Sequence, residues 1–537
     1  MFNLEHGRFT EMRKLLTILC LLVSAPCFGQ MMGSIASPVK SAASGGTTIY
    51  AASCNPTDVL TALNSITMDG TTVILPTCNV TWTTAITYNQ TNSFILQGQG
   101  AIYPGGGTDK TVIQDNYNYT SGSGFININT IAGKSLRITG IAFYWSTSQT
   151  SVTNNGEVQL NGYSQSVRID HSHFYQPAGA TNGIVVMSVW NWIYGVADHN
   201  QIDFTSNDSN WIRVGMPSYG NDSAGLGNIS WSSATNFGSS GFFFLEANTF
   251  NWNGATSNPA TDFAAVNDCN AGGRMVFRYN TVNGLWLTQM HEMEGDFRGC
   301  RAFEDYQNTY AGSGTNPFAT AFGTRMATSL VWGNTVTGFS DLGNATNDRT
   351  NTGHGFGAAP PAVAAGSTTG WGYCGTSTGG SGANLSPSDY DYSQGSNGYP
   401  CADQVGRGQS AVVTGTFPNK FISGSIQWVN NALEPVYVWD NTYNAPSVGT
   451  NHYFTSSDTN TIQENRDYYL QLPNYDESST FNGTAGIGQG LLSARPSTCT
   501  PLVAYWATDT STLYVCKTAK TWSSYYTPYT YPHPLDN

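Results

Sequence analysis

One arrangement of apolar and polar positions returns along this chain: apolar, any, apolar, any, a small or polar residue, asparagine, any, apolar. It runs from Val167 and Ile169 to Phe174, from Val196 through Asn200 to Ile202, and from Phe243 and Leu245 through Asn248 to Phe250. Further copies are Met275–Asn280–Val282, Phe303–Asn308–Tyr310, Leu330–Asn334–Val336 and Val436–Asn441–Tyr443, and an earlier one without the asparagine ends at Phe143. Alternation puts every second side chain on one face of a strand. Asparagine tolerates left-handed turns, and stacked copies can bond to one another in a ladder. Most steps between the final apolar residues span 26 to 32 residues, and the exceptions of 48 and 107 imply loops thrown out of a stack. The expected fold is all-β, a right-handed parallel β-helix in which each repeat is one rung. A propeller would need about four strands per repeat, more than this spacing supplies.

The opening of the stack has its own signature. Pro56 to Ile66 reads as a short amphipathic helix with Val59, Leu60, Leu63 and Ile66 on one side. Asp69-Gly70 then makes a turn, Val73-Ile74-Leu75-Pro76 a strand, and Phe94-Ile95-Leu96 another, closed by Gly98 and Gly100. This order of helix, Asp-Gly turn, "TVILP" and "LQGQG" resembles the start of the pectate-lyase-like right-handed parallel β-helix superfamily, over residues 50–480. The resemblance implies the fold, and a carbohydrate-handling role that runs from lyases, hydrolases and epimerases to catalytically silent adhesins.

Composition fits. Charged residues make up 10% of the 537 and aromatics 13%, material suited to short strands and turns rather than long helices. The net charge of -13 argues against a nucleic-acid partner. At the N-terminus Arg13 and Lys14, an apolar run Leu15–Val23 and Cys27-Phe28-Gly29 read as a signal peptide over 1–29, with Met12 as a natural start. A secreted, extracellular, cell-surface or periplasmic monomer with no membrane span is expected. A linker is expected at 30–49, and a Gly-rich excursion at 339–424 within the β-helix. At 481–537 a disulfide hairpin and aromatic tail should cover the open end of the stack. The eight cysteines left after export suggest the pairs Cys54–Cys78, Cys269–Cys300, Cys374–Cys401 and Cys499–Cys516.

Two groups of residues carry candidate chemistry. The position two before each ladder asparagine should point outward, giving a column Asp170, Asp198, Glu246, Arg278, Tyr306, Trp332 and Trp439. Aromatic faces stack on sugar rings, and close carboxylates can hold Ca²⁺, so Asp170, Asp198 and Glu246 are metal candidates. Arg274, Arg278, Tyr306, Arg325, Trp332 and Trp439 are the substrate-binding candidates. The second group is a charged cluster from Asp268 to Arg325, with Asp268, His291, Glu294, Arg298, Arg301 and Glu304 as catalytic candidates. In a lyase, Arg or a metal would neutralise a uronate carboxylate and His291 would take the adjacent proton. In a hydrolase, Asp268 and Glu294 would be the acid and base. A third alternative is a non-catalytic glycan-binding or adhesive surface β-helix. "RYNTVNGLWLTQMHEMEG" resembles the strand that carries Arg-His-Gly in alginate- and chondroitin-type lyases, but Met290-His291-Glu292 has neither the Arg nor the Gly. His171, His173 and His199 are read as turn-stabilising residues. The expected reaction is a polysaccharide lyase on a uronate-containing glycan.

Overall fold

The computed structural model describes residues 46–119, 124–148, 156–177, 185–204, 214–215, 227–252, 264–267, 269–284, 286–290, 299–312, 320–345, 405–410, 421–422, 425–426, 432–447, 450–456, 462–471 and 481–536. The alternating segments pile into a right-handed parallel β-helix. Its first side is a twelve-stranded sheet from Thr48–Tyr50 to Tyr468–Leu470, and its second is a ten-stranded sheet from Cys78–Trp82 to Thr442–Asn444. The third side consists of two five-stranded blocks, one between Ile86–Asn89 and Val214–Gly215, the other between Ala264–Ala265 and His452–Ser456. Every strand pair in these four sheets is parallel, and repeat follows repeat in register, as in Val167↔Gly195, Ile202↔Phe250 and Val282↔Tyr310.

Alternation does what the pattern requires. Val167, Ile169, Phe174, Ile202, Leu245, Phe250, Phe277, Val282, Phe303 and Val336 are buried in one continuous core that fills the lumen. Helix α1 (Pro56–Asn64) lays Val59, Ala62 and Leu63 on the first rungs. The stack begins at Thr48, so the expected linker ends earlier than residue 49.

The asparagine ladder is present, with one correction. Asn200, Asn248, Asn280, Asn308 and Asn334 each donate backbone N–H to the side-chain oxygen of the next ladder residue, ending at Asn441, at 2.9 Å per step. Their carboxamide nitrogens also donate to a carbonyl of the preceding rung: Asn280 to Leu245 at 3.0 Å, Asn308 to Phe277 at 3.0 Å. The left-handed turn residue is not the asparagine but the one before it: His171, His199, Ala247, Tyr279, Gln307, Gly333 and Asp440 have φ from 50° to 65°. The ladder fixes the asparagine side chain, so its neighbour absorbs the reversal.

Three expected disulfides form: Cys54–Cys78, Cys269–Cys300 and Cys499–Cys516. Cys374 and Cys401 lie outside the described residues, as do the signal peptide and most of the excursion. That excursion starts later than expected. Asp341–Ala345 is a rung strand paired with Thr320–Thr324 and His452–Ser456, because Leu342 and Ala345 still alternate into the core. The C-terminal part is larger than a hairpin, a four-stranded sheet of Ile487–Gly490, Ala504–Ala507, Thr512–Thr518 and Thr521–Tyr526. It and the tail lie along the outer face of the twelve-stranded sheet, where Trp506 packs on Trp332 and Trp439, Tyr525 on Tyr437, and Tyr529 and His533 on Phe244. An aromatic ridge on that face would otherwise meet water, and the aromatic tail removes the exposure.

Candidate functional site

The outward column of the twelve-stranded sheet is in register from end to end: Asp170, Asp198, Glu246, Arg278, Tyr306, Trp332 and Trp439 are successive cross-strand neighbours. The side chains point away from the lumen, but they are not open to a ligand. Trp439 is 0% exposed, Trp332 6%, Tyr306 0% and Arg278 0%. Tyr306 stacks on Trp332 at 4.7 Å and Trp332 on Trp439 at 5.7 Å, so the rings that could have faced a sugar face each other and Trp506. Arg278 donates to Glu246 at 2.7 Å, to the Tyr306 hydroxyl at 2.8 Å, and to the Tyr529 and Thr530 carbonyls of the tail. As an open substrate-binding surface, this column is corrected: the C-terminal segment occupies it.

The other basic candidates are engaged as well. Buried Arg274 donates to the Ser230 hydroxyl and the Ser230 and Thr235 carbonyls. Arg301 pairs with Glu434 at 2.8 Å, donates to the Ser233 carbonyl and lies over Trp231. Both brace the segment around helix α2 (Asn228–Ser232). Arg325 is half-buried after Thr320–Thr324. Glu304 is buried under the C-terminal sheet, accepting from Gly238 N–H and the Tyr526 hydroxyl; burial pushes its carboxyl up to about 7 against those bonds. Asp268, His291, Glu294 and Arg298 lie outside the described residues.

The metal candidates meet guanidinium groups instead. Asp170 accepts from Arg137 at 2.8 Å and 2.5 Å, and Asp198 from Arg168 at 2.9 Å and 2.7 Å. Burial alone would raise Asp170, but the bonds from Arg137 and His171 and the nearby positive charges outweigh it and hold the carboxyl at about 2. Glu246 is paired with Arg278. Asp198, His199 and Asp536 offer ligand atoms within 4.8 Å of one another, but Arg168 ion-pairs with both carboxylates there. The cationic partner these acids need is already supplied by the chain, so the donor set does not fit Ca²⁺.

The outer face of the ten-stranded sheet is different. One row runs Gln114, Tyr144, Tyr175, Asp203, Asn251, Asn283, Ala311, Thr337 and Asn444, each beside the next. A second runs His173, Gln201, Thr249, Thr281, Thr309, Thr335 and Thr442. Thr281, Thr309, Ala311, Thr335, Thr337, Thr442 and Asn444 are exposed, and from Thr249 onward neither row holds a charged side chain. Side chains bond from rung to rung: Asn283 donates to Asn251, and Asn251 to Asp203, both at 2.7 Å.

At the near end His173 sits in the sheet rather than at a turn. Its Nδ1 lies 2.9 Å from Asp109 and its Nε2 3.0 Å from Asp203. Burial disfavours its charge, but the bonds and charges of the two carboxylates prevail and raise the imidazole to about 9, so both ring nitrogens donate at neutral pH. Asp109 also accepts from Tyr144 at 2.6 Å and from Ile102 N–H, which fastens the loop before Thr111 to the sheet. Tyr144 and Tyr175 meet at 4.9 Å, and both are half-exposed.

No family model matches the chain. No curated protein matches it either. Two chains of solved structure match, among them a Geobacillus virus E2 protein titled ORF18, 10% identical over 98% of this chain and 90% of its own with a TM-score of 0.24. A likeness that loose carries no argument. The fold therefore rests on the strand topology.

The sequence reading missed this second face, although a signal was present. Each of five ladder asparagines is followed by threonine: Asn248-Thr249, Asn280-Thr281, Asn308-Thr309, Asn334-Thr335 and Asn441-Thr442. Threonine at the first outward position of five consecutive strands is a pattern of the same kind as the ladder itself.

Proposed function

We propose that the protein is an exported glycan-binding β-helix without catalytic activity, which holds a linear, uncharged polysaccharide along the outer face of its ten-stranded sheet. The observation that carries the reading is the pair of in-register rows, one running from Tyr144 and Tyr175 past Asp203 to Asn251 and Asn283, the other through Thr249, Thr281, Thr309, Thr335 and Thr442. Neighbouring rungs are about 4.8 Å apart, comparable with the length of one sugar residue. Hydroxyl and carboxamide groups both donate and accept, as the hydroxyls of a glycan require. Half-exposed Tyr175 offers a ring face and a polar tip together, beside the ring of Tyr144, whose hydroxyl is held by Asp109. The uncharged far half of the rows favours a neutral chain over a uronate, and the engagement of Arg274, Arg278 and Arg301 within the protein leaves no described arginine cluster to neutralise one.

The test is a panel of neutral and uronate-containing oligosaccharides, titrated calorimetrically, with each mixture then assayed for new reducing ends and for the ultraviolet absorbance of an unsaturated uronate. The reading expects binding of a neutral chain with no product, weakened about tenfold by Tyr175→Ala. Unsaturated product would establish the lyase, reducing ends alone the hydrolase, and an absence of both binding and product would remove the glycan reading.

A further inference from the structure

The last described residues lie against the acidic end of the covered ridge and are held by a small set of bonds. His533 N–H donates to Glu246 at 2.7 Å. The His533 ring is 2% exposed, packed against Phe244 at 4.8 Å and Tyr529 at 5.6 Å. Its Nδ1 accepts the backbone N–H of Leu535 at 3.2 Å. The Leu535 carbonyl in turn accepts from Arg168 at 2.9 Å, and Asp536 ion-pairs with the same guanidinium. An imidazole accepts at Nδ1 only while that nitrogen carries no proton. Together with the backbone bond from Asp536 N–H to the His533 carbonyl at 2.7 Å, the lone pair of His533 therefore holds the turn that delivers Leu535 and Asp536 to Arg168.

We propose that residues 529–536 form an acid-released clip: neutral His533 holds it closed over Asp198, Glu246 and Arg278, and protonation of Nδ1 opens it. Protonation removes the acceptor for Leu535 and places a second cation beside Arg278 in a buried site. The groups facing His533 are Arg278, Glu246, Asp198 and Arg168 on the sheet and Tyr529 within the clip, with Asp536 at its end. Burial first, then the charges of Arg278 and Arg168, hold the imidazole down at about 3. A depressed imidazole destabilises the closed state as pH falls below the ordinary value of about 6.5, by up to tenfold in the closed-to-open ratio per pH unit. The carboxyls act the other way. Asp536 and Glu246 are raised by burial, and Glu304 is raised under Tyr526, so acid tightens the sheet contact at Glu304 while it loosens the clip.

The full-length protein is examined by hydrogen–deuterium exchange at pH 7.5, 6.5 and 5.5, with rates corrected for intrinsic exchange. Protection of the peptide containing Leu535 and Asp536 should fall several-fold between pH 6.5 and 5.5, while the Ala504–Ala507 peptide holds its protection. His533→Gln should abolish that pH dependence. His533→Phe keeps the ring packing but has no acceptor, so it should leave the clip open at all three values. Unchanged protection of the wild-type clip at pH 5.5, or the same pH dependence in His533→Gln, would overturn the proposal.

Discussion

Two outer faces of one stack have been treated in opposite ways. The twelve-stranded face carries Asp170, Asp198, Glu246, Arg278, Tyr306, Trp332 and Trp439, a column rich in charged and aromatic groups, and the C-terminal sheet and tail seal it. The ten-stranded face carries threonine, asparagine and two tyrosines, and much of it stays in contact with water. Charged and aromatic residues concentrate where the protein must bind itself: desolvated acids need guanidinium partners and apolar rings need cover. Rich chemistry on a β-helix exterior therefore marks an internal interface as readily as a ligand site, and a plain, regular face can be the one left for a ligand.

Substitutions should separate the two faces sharply. Arg278→Leu strands Glu246 and the Tyr529 and Thr530 carbonyls, so it should cost about 3–5 kcal/mol in urea unfolding, whereas Thr309→Ala on the open face should stay within about 0.5 kcal/mol. Similar costs for both would erase the distinction. The asparagine ladder runs along the corner the two sheets share. Asn280→Ala leaves the Asn248 backbone N–H without its acceptor and the Leu245 carbonyl without its donor, and should cost about 1–3 kcal/mol by the same measurement.

The near end of the open face should respond to alkali. An imidazole raised to about 9 from an ordinary value of about 6.5 contributes stability that is complete below 6.5 and is lost as pH rises through 9. The contribution is about 1–2 kcal/mol with screening allowed for, because Asp203 is partly exposed. Thermal melts from pH 6.5 to 9.5 should show this loss in the wild type and a flatter profile in His173→Gln. A smaller structural effect belongs to Tyr175→Ala, which should shift the melting temperature by a few degrees at most while lowering glycan affinity.

The repeat and the register were legible in sequence because both follow from period-two alternation and a conspicuous asparagine. The seven-residue column was read correctly, and three disulfides followed from local spacing. The ladder was legible too, though not which residue takes the left-handed turn; seeing that it is His171 or Tyr279 needs the bonds that fix the asparagine side chain. Burial of Trp332 and Trp439 was not legible either. Nothing in a column of residues says whether a segment far along the chain will cover it, and "YWATDTSTLYV" reads equally well as an end cap. The Asp109–His173–Asp203 bridge joins residues from three places in the chain and becomes visible only once rungs are stacked.

Hydroxyl-radical footprinting with mass spectrometry, on the free protein and with the best-binding oligosaccharide from the panel, tests the assignment of faces most directly. Tyr175 should oxidise in the free protein and be protected by the sugar, while Trp332 and Trp439 stay unmodified in both states. Oxidation of those two tryptophans in the free protein, or sugar protection that leaves Tyr175 unchanged, would contradict the account.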